Sequence, residues 1–146
     1  MSENLELTFA SNEDSLSVRR FAVSESISGL FTIDVIARSE LEDLDLETIV
    51  GHGASFRILG DARFLSDQKM RAWTGVCAHM EQIQGEETGL STYLIRIVPA
   101  LFRTRLRVNC RIFQRLAIPD IVKAVLQEWE IEAEPRLTET YPKHEY

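Results

Sequence analysis

Apolar and polar residues alternate with a period of two through much of the chain that precedes Pro99. The first example is a short run in which Leu5, Leu7 and Phe9 are separated by polar residues. Successive side chains of an extended strand point to opposite faces, so this alternation predicts half-buried β-strands. Further segments with a strand pattern are LSVRRFAVSE, LFTIDVIAR, ASFRIL, RAWTGVCAHMEQIQ and LSTYLIRIV. The pattern therefore predicts a mainly β protein, with an antiparallel β-barrel or strongly curved sheet between Leu5 and roughly Arg115.

Two of these runs carry more specific predictions. The run LSTYLIRIV is apolar on both faces, which is typical of a central strand, and Pro99 ends it. Gly75 lies inside the preceding run, where a bulge, a sharp bend or a close backbone approach is the usual reason for glycine. We therefore expect LSTYLIRIV to pair with a strand on each side, and we expect an irregularity of the strand at Gly75.

The most regular alternation follows Pro99, in the segment LFRTRLRVNCRIFQ at residues 101–114. Arg103, Arg105 and Arg107 share one face of this predicted strand, and the opposite face is largely apolar. Like charges side by side repel one another, so the arrangement requires acidic groups to face them. We take Arg103, Arg105 and Arg107 as candidate interface residues that meet carboxylates within the barrel or on a neighbouring protomer.

A helical period begins at Ile118. Apolar side chains then recur at spacings typical of one helix face, at Ile118, Ile121, Val122, Val125, Leu126 and Trp129. Pro119 suits the first turn because its missing N–H is no loss there, and Asp120 meets the positive end of the helix dipole. We predict an α-helix from Ile118 to Trp129, packed on the sheet through Ile121, Val125 and Trp129.

Two connecting segments partly match known ligand-binding motifs, but each lacks residues that the motif requires. SELEDLDLETIVG is strongly acidic, but it lacks the Asp-x-Asp-x-Asp-Gly pattern of a calcium loop, so we expect a solvated loop with a short helical turn. GHGASFRILG lacks the third glycine and the Lys-Ser/Thr pair of phosphate-binding loops. Gly51 and Gly53 are therefore interpreted as turn glycines before a strand.

Composition narrows the function classes. The chain of 146 residues is the size of about one domain, and its net charge of −7 argues against a nucleic-acid partner. The two cysteines and three histidines show no metal-ligand spacing, and no nucleophile elbow is present. We find no basic leader and no apolar run of ~18 residues. The sequence thus nominates no catalytic, cofactor-binding or metal residues and favours a structural or interaction role over a hydrolase.

The order of several segments resembles the N-terminal part of VgrG, the spike protein of type VI secretion. The resemblance extends over essentially the whole chain, and its most telling positions are Gly75 in RAWTGV, Tyr93–Pro99, RIFQ at 111–114 and IPDIV at 118–122. The chain departs from the family at Phe102, Arg103 and Arg105, near which family members usually carry Trp and Leu. The family also continues beyond YPKHEY with a helical region, a second barrel and a β spike, so we expect this chain to be a fragment that ends at Tyr146.

The resemblance implies a phage tail hub-like fold, with a tube-type β-barrel domain at residues 1–116 and, at 117–146, a helix and the start of a second, truncated module. It implies that three chains form a pseudo-sixfold ring, which docks on the hexameric Hcp tube and supports a membrane-puncturing spike. It also implies effectors or adaptors bound through C-terminal parts, and assembly in the bacterial cytoplasm before export by the type VI apparatus without a signal peptide. No cofactor, nucleic acid or stable membrane insertion is expected.

A second class of function stays open at this stage. A free-standing β-barrel domain could use the arginine-rich strand to hold an anionic ligand or a nucleic acid. We favour acidic protein groups as partners of the arginines, because the chain itself offers a surplus of carboxylates. They include Glu40 to Glu47, Glu81, Glu86 and Glu87.

Overall fold

A computed structural model describes residues 4–41, 43–59, 70–85 and 90–145 of the protein. In these ranges the strands are β1 (Leu5–Phe9), β2 (Ser17–Ser24), β3 (Thr32–Ser39), β4 (Gly53–Ile58), β5 (Arg71–Gly85) and β6 (Ser91–Val98). The helical elements are two 3-10 helices, Leu46–Thr48 and Ala100–Leu106, and one α-helix, α1 (Ile118–Glu128). Glu42, Glu86 and Glu87 from the predicted acidic surplus lie outside the described residues.

The six strands form one antiparallel sheet in the order β1-β4-β5-β6-β3-β2. β6 lies between β5 and β3, so both of its edges are hydrogen-bonded, which confirms the predicted central strand. Most of its side chains are buried, in keeping with its apolar residues on both faces. β1 and β2 are the two edge strands of this sheet.

The hydrophobic core lies on the concave face of the sheet, which curls into a half-barrel. β3 shows why: Ile33, Val35 and Ala37 are fully buried, while the residues between them are partly exposed. Phe56 from β4 and Tyr93 from β6 add the largest fully buried side chains. Residues of the edge strands β1 and β2 approach each other, although the described ladders do not join them. The predicted mainly β, antiparallel, barrel-like fold with a C-terminal α-helix is confirmed.

Gly75 is required by a close backbone approach. A Cβ atom at this position would lie 1.9 Å from the carbonyl oxygen of Val98. The β4–β5 register passes through Gly75 without a shift, and the irregularities of β5 fall between Cys77 and His79 and between Gln82 and Gln84. The expected bulge thus begins two residues later, and close approach is the physical reason for the glycine.

The acidic connection after β3 contains the expected helical turn. Asp45 caps the 3-10 helix Leu46–Thr48, because its Oδ1 accepts a hydrogen bond from the backbone N–H of Glu47 at 3.1 Å. Gly51 follows with φ of 84°, a left-handed conformation that glycine adopts without strain. The turn interpretation is therefore confirmed for Gly51, but it is wrong for Gly53, which is the first residue of β4 and pairs with Val76 of β5.

The strand predicted over residues 101–114 is wrong. Ala100–Leu106 forms a 3-10 helix, and the residues that follow lie in no strand. Pro99 ends β6, and the hydroxyl of Thr104 then donates to the carbonyl of Leu101 at 2.8 Å, a local bond that stabilises a tight turn. Polar and apolar side chains do alternate in this segment. Its backbone nevertheless forms local hydrogen bonds and does not pair with an edge of the sheet.

The chain divides into two compact units, Met1–Pro99 and Ala100–Tyr146. The sheet belongs to the first unit, and the second 3-10 helix and α1 belong to the second. The division at residues 116 and 117 that the resemblance implies stays a prediction, as does the assignment of 1–116 to a tube-type barrel. The helix was predicted from Ile118 to Trp129 and spans Ile118–Glu128, while its packing on the sheet also stays a prediction.

Candidate assembly surfaces

The three candidate interface arginines do not form one stripe. Arg103 and Arg105 lie in the 3-10 helix, and Arg107 follows its end. With about three residues per turn, positions two apart in such a helix point roughly 120° from each other. Arg103 and Arg105 therefore face different directions, and their predicted side-by-side repulsion does not arise.

Arg105 is held against an aromatic ring of its own helix. Its guanidinium carbon lies 5.6 Å from the centroid of Phe102, within the range of a cation–π contact. In the described part of the chain, neither Arg103 nor Arg105 forms an ion pair. These two charges are therefore available to an external acidic group.

Arg107 belongs to a cluster at the end of α1 that we call the arginine clamp: Arg107, Arg111, Glu128 and Trp129. Arg107 Nη2 donates to Glu128 Oε2 at 2.9 Å, and Arg111 Nη1 donates to Glu128 Oε1. The hydrogen bond from Arg111, with a further one from Arg107, lowers the pKa of Glu128. The guanidinium of Arg107 also lies 5.2 Å from the centroid of the Trp129 ring. Arg107 thus meets a carboxylate of its own chain, while the interface role of the three arginines stays a prediction.

The N-terminal end of α1 is held by hydrogen bonds that involve backbone groups. The carboxylate of Asp120 accepts from the N–H of Ala117 at 3.4 Å, so it satisfies one backbone donor at the helix start. His144 exchanges backbone hydrogen bonds with Arg115 and Leu116, at 2.8 and 3.1 Å. The C-terminal segment is therefore tied back to the residues that lead into the helix.

Between α1 and this returning segment lies an open groove of about 1130 Å³, which we call the helix groove. Apolar side chains dominate its wall, and they are Ile118, Val122, Leu126, Ile131, Leu137 and Tyr141. Several of them are half-exposed, among them Val122 at 50% and Leu137 at 51%. No residue of α1 is fully buried. An apolar helix face of this kind is characteristic of a surface that packs against another polypeptide.

Several outward-facing charges of the first unit are paired within that unit. Asp34 and Arg96 are register partners on β3 and β6, with bonds of 2.7 and 3.2 Å, and Asp34 raises the pKa of Arg96. Glu25 accepts hydrogen bonds from Arg71 and from the indole N–H of Trp73, bonds that lower its pKa, the one from Trp73 most. Arg96, although near the arginine-rich segment in sequence, therefore has its own carboxylate.

The described residues offer no catalytic or metal-binding constellation. No group of three or more His, Cys, Asp or Glu side chains among them could hold a metal ion. Cys77 and His79 do not share a strand face: Cys77 is fully buried, whereas the side chain of His79 is half-exposed. The register shift between them re-aims the strand. Among the described helices, none has the length and apolarity needed to cross a membrane.

Sequence reasoning named Arg107 and Trp129 but did not connect them. Glu128 falls on the polar face of the predicted helix, and the pattern does not pair it with an arginine. A signal for this contact was present in the sequence. Cations stabilise the C-terminus of a helix, and the predicted helix, which follows an arginine-rich segment, ends near Glu128 and Trp129. The link across 17 to 21 residues between the arginines and Glu128 requires the turn geometry of residues 107–117, which no periodicity encodes.

Comparisons with known proteins place these surfaces in a family context. The model of the family described as "phage tail baseplate hub (GPD)" matches residues 24–146. Among curated proteins, the spike protein VgrG3 of the type VI secretion system of Vibrio cholerae is 34% identical over 131 residues, covering 82% of this chain. The spike protein VgrG5 of Pseudomonas aeruginosa is 33% identical over 135 residues, covering 88% of this chain. The chain spans only 12% and 16% of those two relatives.

A solved structure shares the fold. The c3393 protein of E. coli, described as a component of the type VI secretion system with structural similarity to the T4 bacteriophage tail proteins gp27 and gp5, superposes with a TM-score of 0.75 at 19% identity. The match covers 96% of this chain and 37% of that one. At this identity, the likeness describes the fold.

Proposed function

The chain belongs to the phage tail baseplate hub family, and on this premise we propose that it is the N-terminal structural module of a type VI secretion spike. The observation that carries the proposal is the family match over residues 24–146, joined to spike proteins as curated relatives. The curled six-stranded sheet supports it, because the c3393 protein has the same fold. The family is one of structural hub proteins, and we assign the chain no catalytic step and no cofactor.

In this proposal the chain acts mechanically. Three protomers form a ring that docks on a hexameric Hcp-like tube and supports a membrane-puncturing spike. Effectors or adaptors join the full-length spike through regions outside this chain. The spike assembles in the bacterial cytoplasm and is exported by the type VI apparatus. Arg103 and Arg105, which form no ion pair among the described residues, and the exposed helix groove give the second unit surfaces suited to such assembly.

Binding to the tube tests the proposal directly. The purified chain is mixed with a purified Hcp-like hexamer, and the complex is measured by co-sedimentation. We expect the chain to sediment with the tube protein and Arg105→Glu to weaken the complex, because Arg105 is an exposed cation that pairs with no carboxylate in the described part of the chain. Arg136→Glu is the matched control, since Arg136 is also exposed but already pairs with Glu134 at 3.2 Å. Absence of any complex with the wild-type chain would contradict docking on the tube.

The runner-up function is an anionic-ligand or nucleic-acid module. One observation favours it: Arg103 and Arg105 form no ion pair in the described residues, and Phe102 beside Arg105 could stack a base. The net charge of −7 opposes it, as does the loss of the continuous arginine stripe. If the wild-type chain binds single-stranded DNA at moderate salt and Arg105→Glu abolishes that binding, this second function replaces the first.

A further inference from the structure

The edge strand β2 reaches the far side of the half-barrel through its side chains. In the sheet order, β6 and β3 lie between β5 and β2, and β4 lies one strand farther away. In a flat sheet with ~4.8 Å between neighbouring strands, β2 would lie ~14 Å from β5 and ~19 Å from β4. The ring centroids of Phe21 on β2 and Phe56 on β4 are nevertheless only 5.1 Å apart. The side chains of the two strands therefore meet across the concave interior.

The inward face of β2 leads to a carboxylate. Phe21 and Val23 are the register partners of Val35 and Ile33 on β3, both of which are fully buried. Glu25 is the next position of the same alternation, one residue beyond the end of β2. Its side chain is 41% exposed, so the carboxylate lies at the rim of the interior and not within the core.

Glu25 binds two side chains of β5, and we call the three residues the rim latch: Glu25, Arg71 and Trp73. The indole N–H of Trp73 donates to Glu25 Oε1 at 2.7 Å, and Arg71 Nη2 donates to Oε2. The guanidinium carbon of Arg71 also lies 4.6 Å from the centroid of the Trp73 ring. The bonds from Trp73 and then from Arg71 lower the pKa of Glu25, so the latch favours the charged carboxylate.

The rim latch lies beside the strand that has the least backbone support on its side of the sheet. Among the described residues, β2 pairs with β3 alone, and the ladder that joins them shifts register between Val18 and Arg20. A strand held by one irregular ladder can separate from its sheet in a local opening that leaves the other strands folded. The contacts that resist such an opening of β2 are those of its inward-facing side chains.

We propose that β2 is a detachable wall of the half-barrel and that the rim latch holds it shut. While Glu25 is bonded to Trp73 and Arg71, Phe21 is held against Phe56 and covers the interior on this side. When the latch is broken, β2 leaves β3 and the central strands stay paired. The device consists of contacts within the first unit alone, so it does not rest on the proposed function.

Native-state hydrogen exchange of the intact wild-type chain gives the first test. It is measured by NMR at several urea concentrations below the unfolding midpoint, because urea promotes each opening in proportion to the surface that the opening exposes. We expect the exchange of the β2 amides that pair with β3 to depend less on urea than the exchange of the β6 amides does. This result identifies an opening of β2 that is smaller than global unfolding. Equal urea dependence for β2 and β6 would overturn the inference, since β2 would then open only with the whole sheet.

One variant on each edge of the sheet tests the latch itself. Glu25→Ala removes the acceptor of both latch bonds. Glu6→Ala is the matched control, because Glu6 on the other edge strand, β1, accepts from Arg57, its register partner on the adjacent β4, at 3.4 Å. We expect Glu25→Ala to speed the exchange of β2 amides by about three- to tenfold and to leave β1 amides unchanged. Glu6→Ala should leave β2 amides unchanged.

Circular dichroism checks that each variant is folded. If Glu25→Ala is not, Glu25→Gln replaces it, because the amide keeps an oxygen for the Trp73 indole and loses only the charge that attracts Arg71. The exchange of β2 should then change in the same direction by a smaller factor. Unchanged β2 exchange in the Glu25 variant would overturn the inference. Equal acceleration of β1 and β2 would also overturn it, because that result shows a general loss of stability.

Discussion

At the residue scale, Gly75 shows how one missing side chain permits a strand junction. The carbonyl of Val98 occupies the space where a Cβ would lie, so the closest obstacle is backbone rather than a side chain that could rotate away. β5 and the end of β6 can approach each other at this point only because residue 75 is glycine. The sequence suggested a local reason for the glycine, but three alternatives could be separated only by the distance itself.

We expect Gly75→Ala to destabilise the protein by at least about 2–3 kcal/mol, since forcing atoms into an occupied space shifts the backbone. Urea unfolding followed by circular dichroism measures the change. Gly53→Ala is the matched control on the adjacent strand, where the added Cβ meets only the Cβ of Ala10 at 3.5 Å. Equal stability of the Gly75→Ala and Gly53→Ala proteins would contradict the close approach.

The two cysteines should differ sharply in reactivity. Burial raises the pKa of Cys77 to about 11 from an ordinary value of 9.0, while Cys110 is exposed. The thiolate is the reactive species, so at pH 8 a thiol reagent should label Cys110 rapidly and Cys77 only after unfolding. Mass spectrometry of the labelled peptides distinguishes the sites. Rapid modification of Cys77 in the native protein would contradict its burial.

The same pKa shift predicts a loss of stability at high pH. Above the unfolded-state pKa of 9.0 the unfolded chain releases the Cys77 proton while the folded chain retains it. The unfolded state then binds fewer protons, so the free energy of unfolding falls as pH rises from about 9 to 11. Cys77→Ala should show a smaller decline over that range in pH-dependent urea unfolding.

At the element scale, the strands were predictable and the turn after them was not. The alternation in LFTIDVIAR predicted the strand β3, in which Ile33, Val35 and Ala37 follow the strand period and are buried. The segment 101–114 alternates equally well, yet it forms a 3-10 helix and irregular structure. Alternation reports which side chains share a face, but it does not decide whether the backbone pairs with a sheet edge or forms local hydrogen bonds. After Pro99, local hydrogen bonds, such as that from the Thr104 hydroxyl to the Leu101 carbonyl, stabilise a 3-10 helix instead.

The arginine clamp should stabilise the end of α1 through both charge and ring contact. We expect Trp129→Ala to destabilise the second unit by about 1–2 kcal/mol, because it removes a half-buried ring and its contact with Arg107. Trp129→Phe keeps an aromatic face and serves as the control, with a smaller loss. Thermal unfolding followed by the far-ultraviolet circular dichroism of the helix measures the loss in both variants. An unchanged midpoint for Trp129→Ala would contradict the role of the clamp.

The charge part of the clamp should depend on pH. The pKa of Glu128 is lowered in the folded protein, so its contribution to stability is present above the unfolded value of 4.5 and is lost as pH falls through the folded value. Glu128→Gln should remove that acid dependence while leaving the neutral-pH fold intact. An NMR titration of the Glu128 side chain checks the direction of the shift.

At the scale of the whole molecule, the two units should differ in local stability. β6 is hydrogen-bonded on both sides and mostly buried, whereas α1 has no fully buried residue. Amide protons of α1 should therefore exchange at least about 100-fold faster than those of β6, because segments with few buried contacts open locally. Hydrogen exchange measured by NMR gives both rates. Equal protection would show that the units unfold together.

The edge strand β2 has a consequence for how the protein behaves at high concentration. Its register shifts between Val18 and Arg20, and both Arg19 and Arg20 are exposed. A strand from another molecule that paired with this edge would meet an irregular ladder and two strongly hydrated cations. The β2 edge of the half-barrel is thus a poor template for cross-β fibre growth, and the protein resists precipitation through this edge.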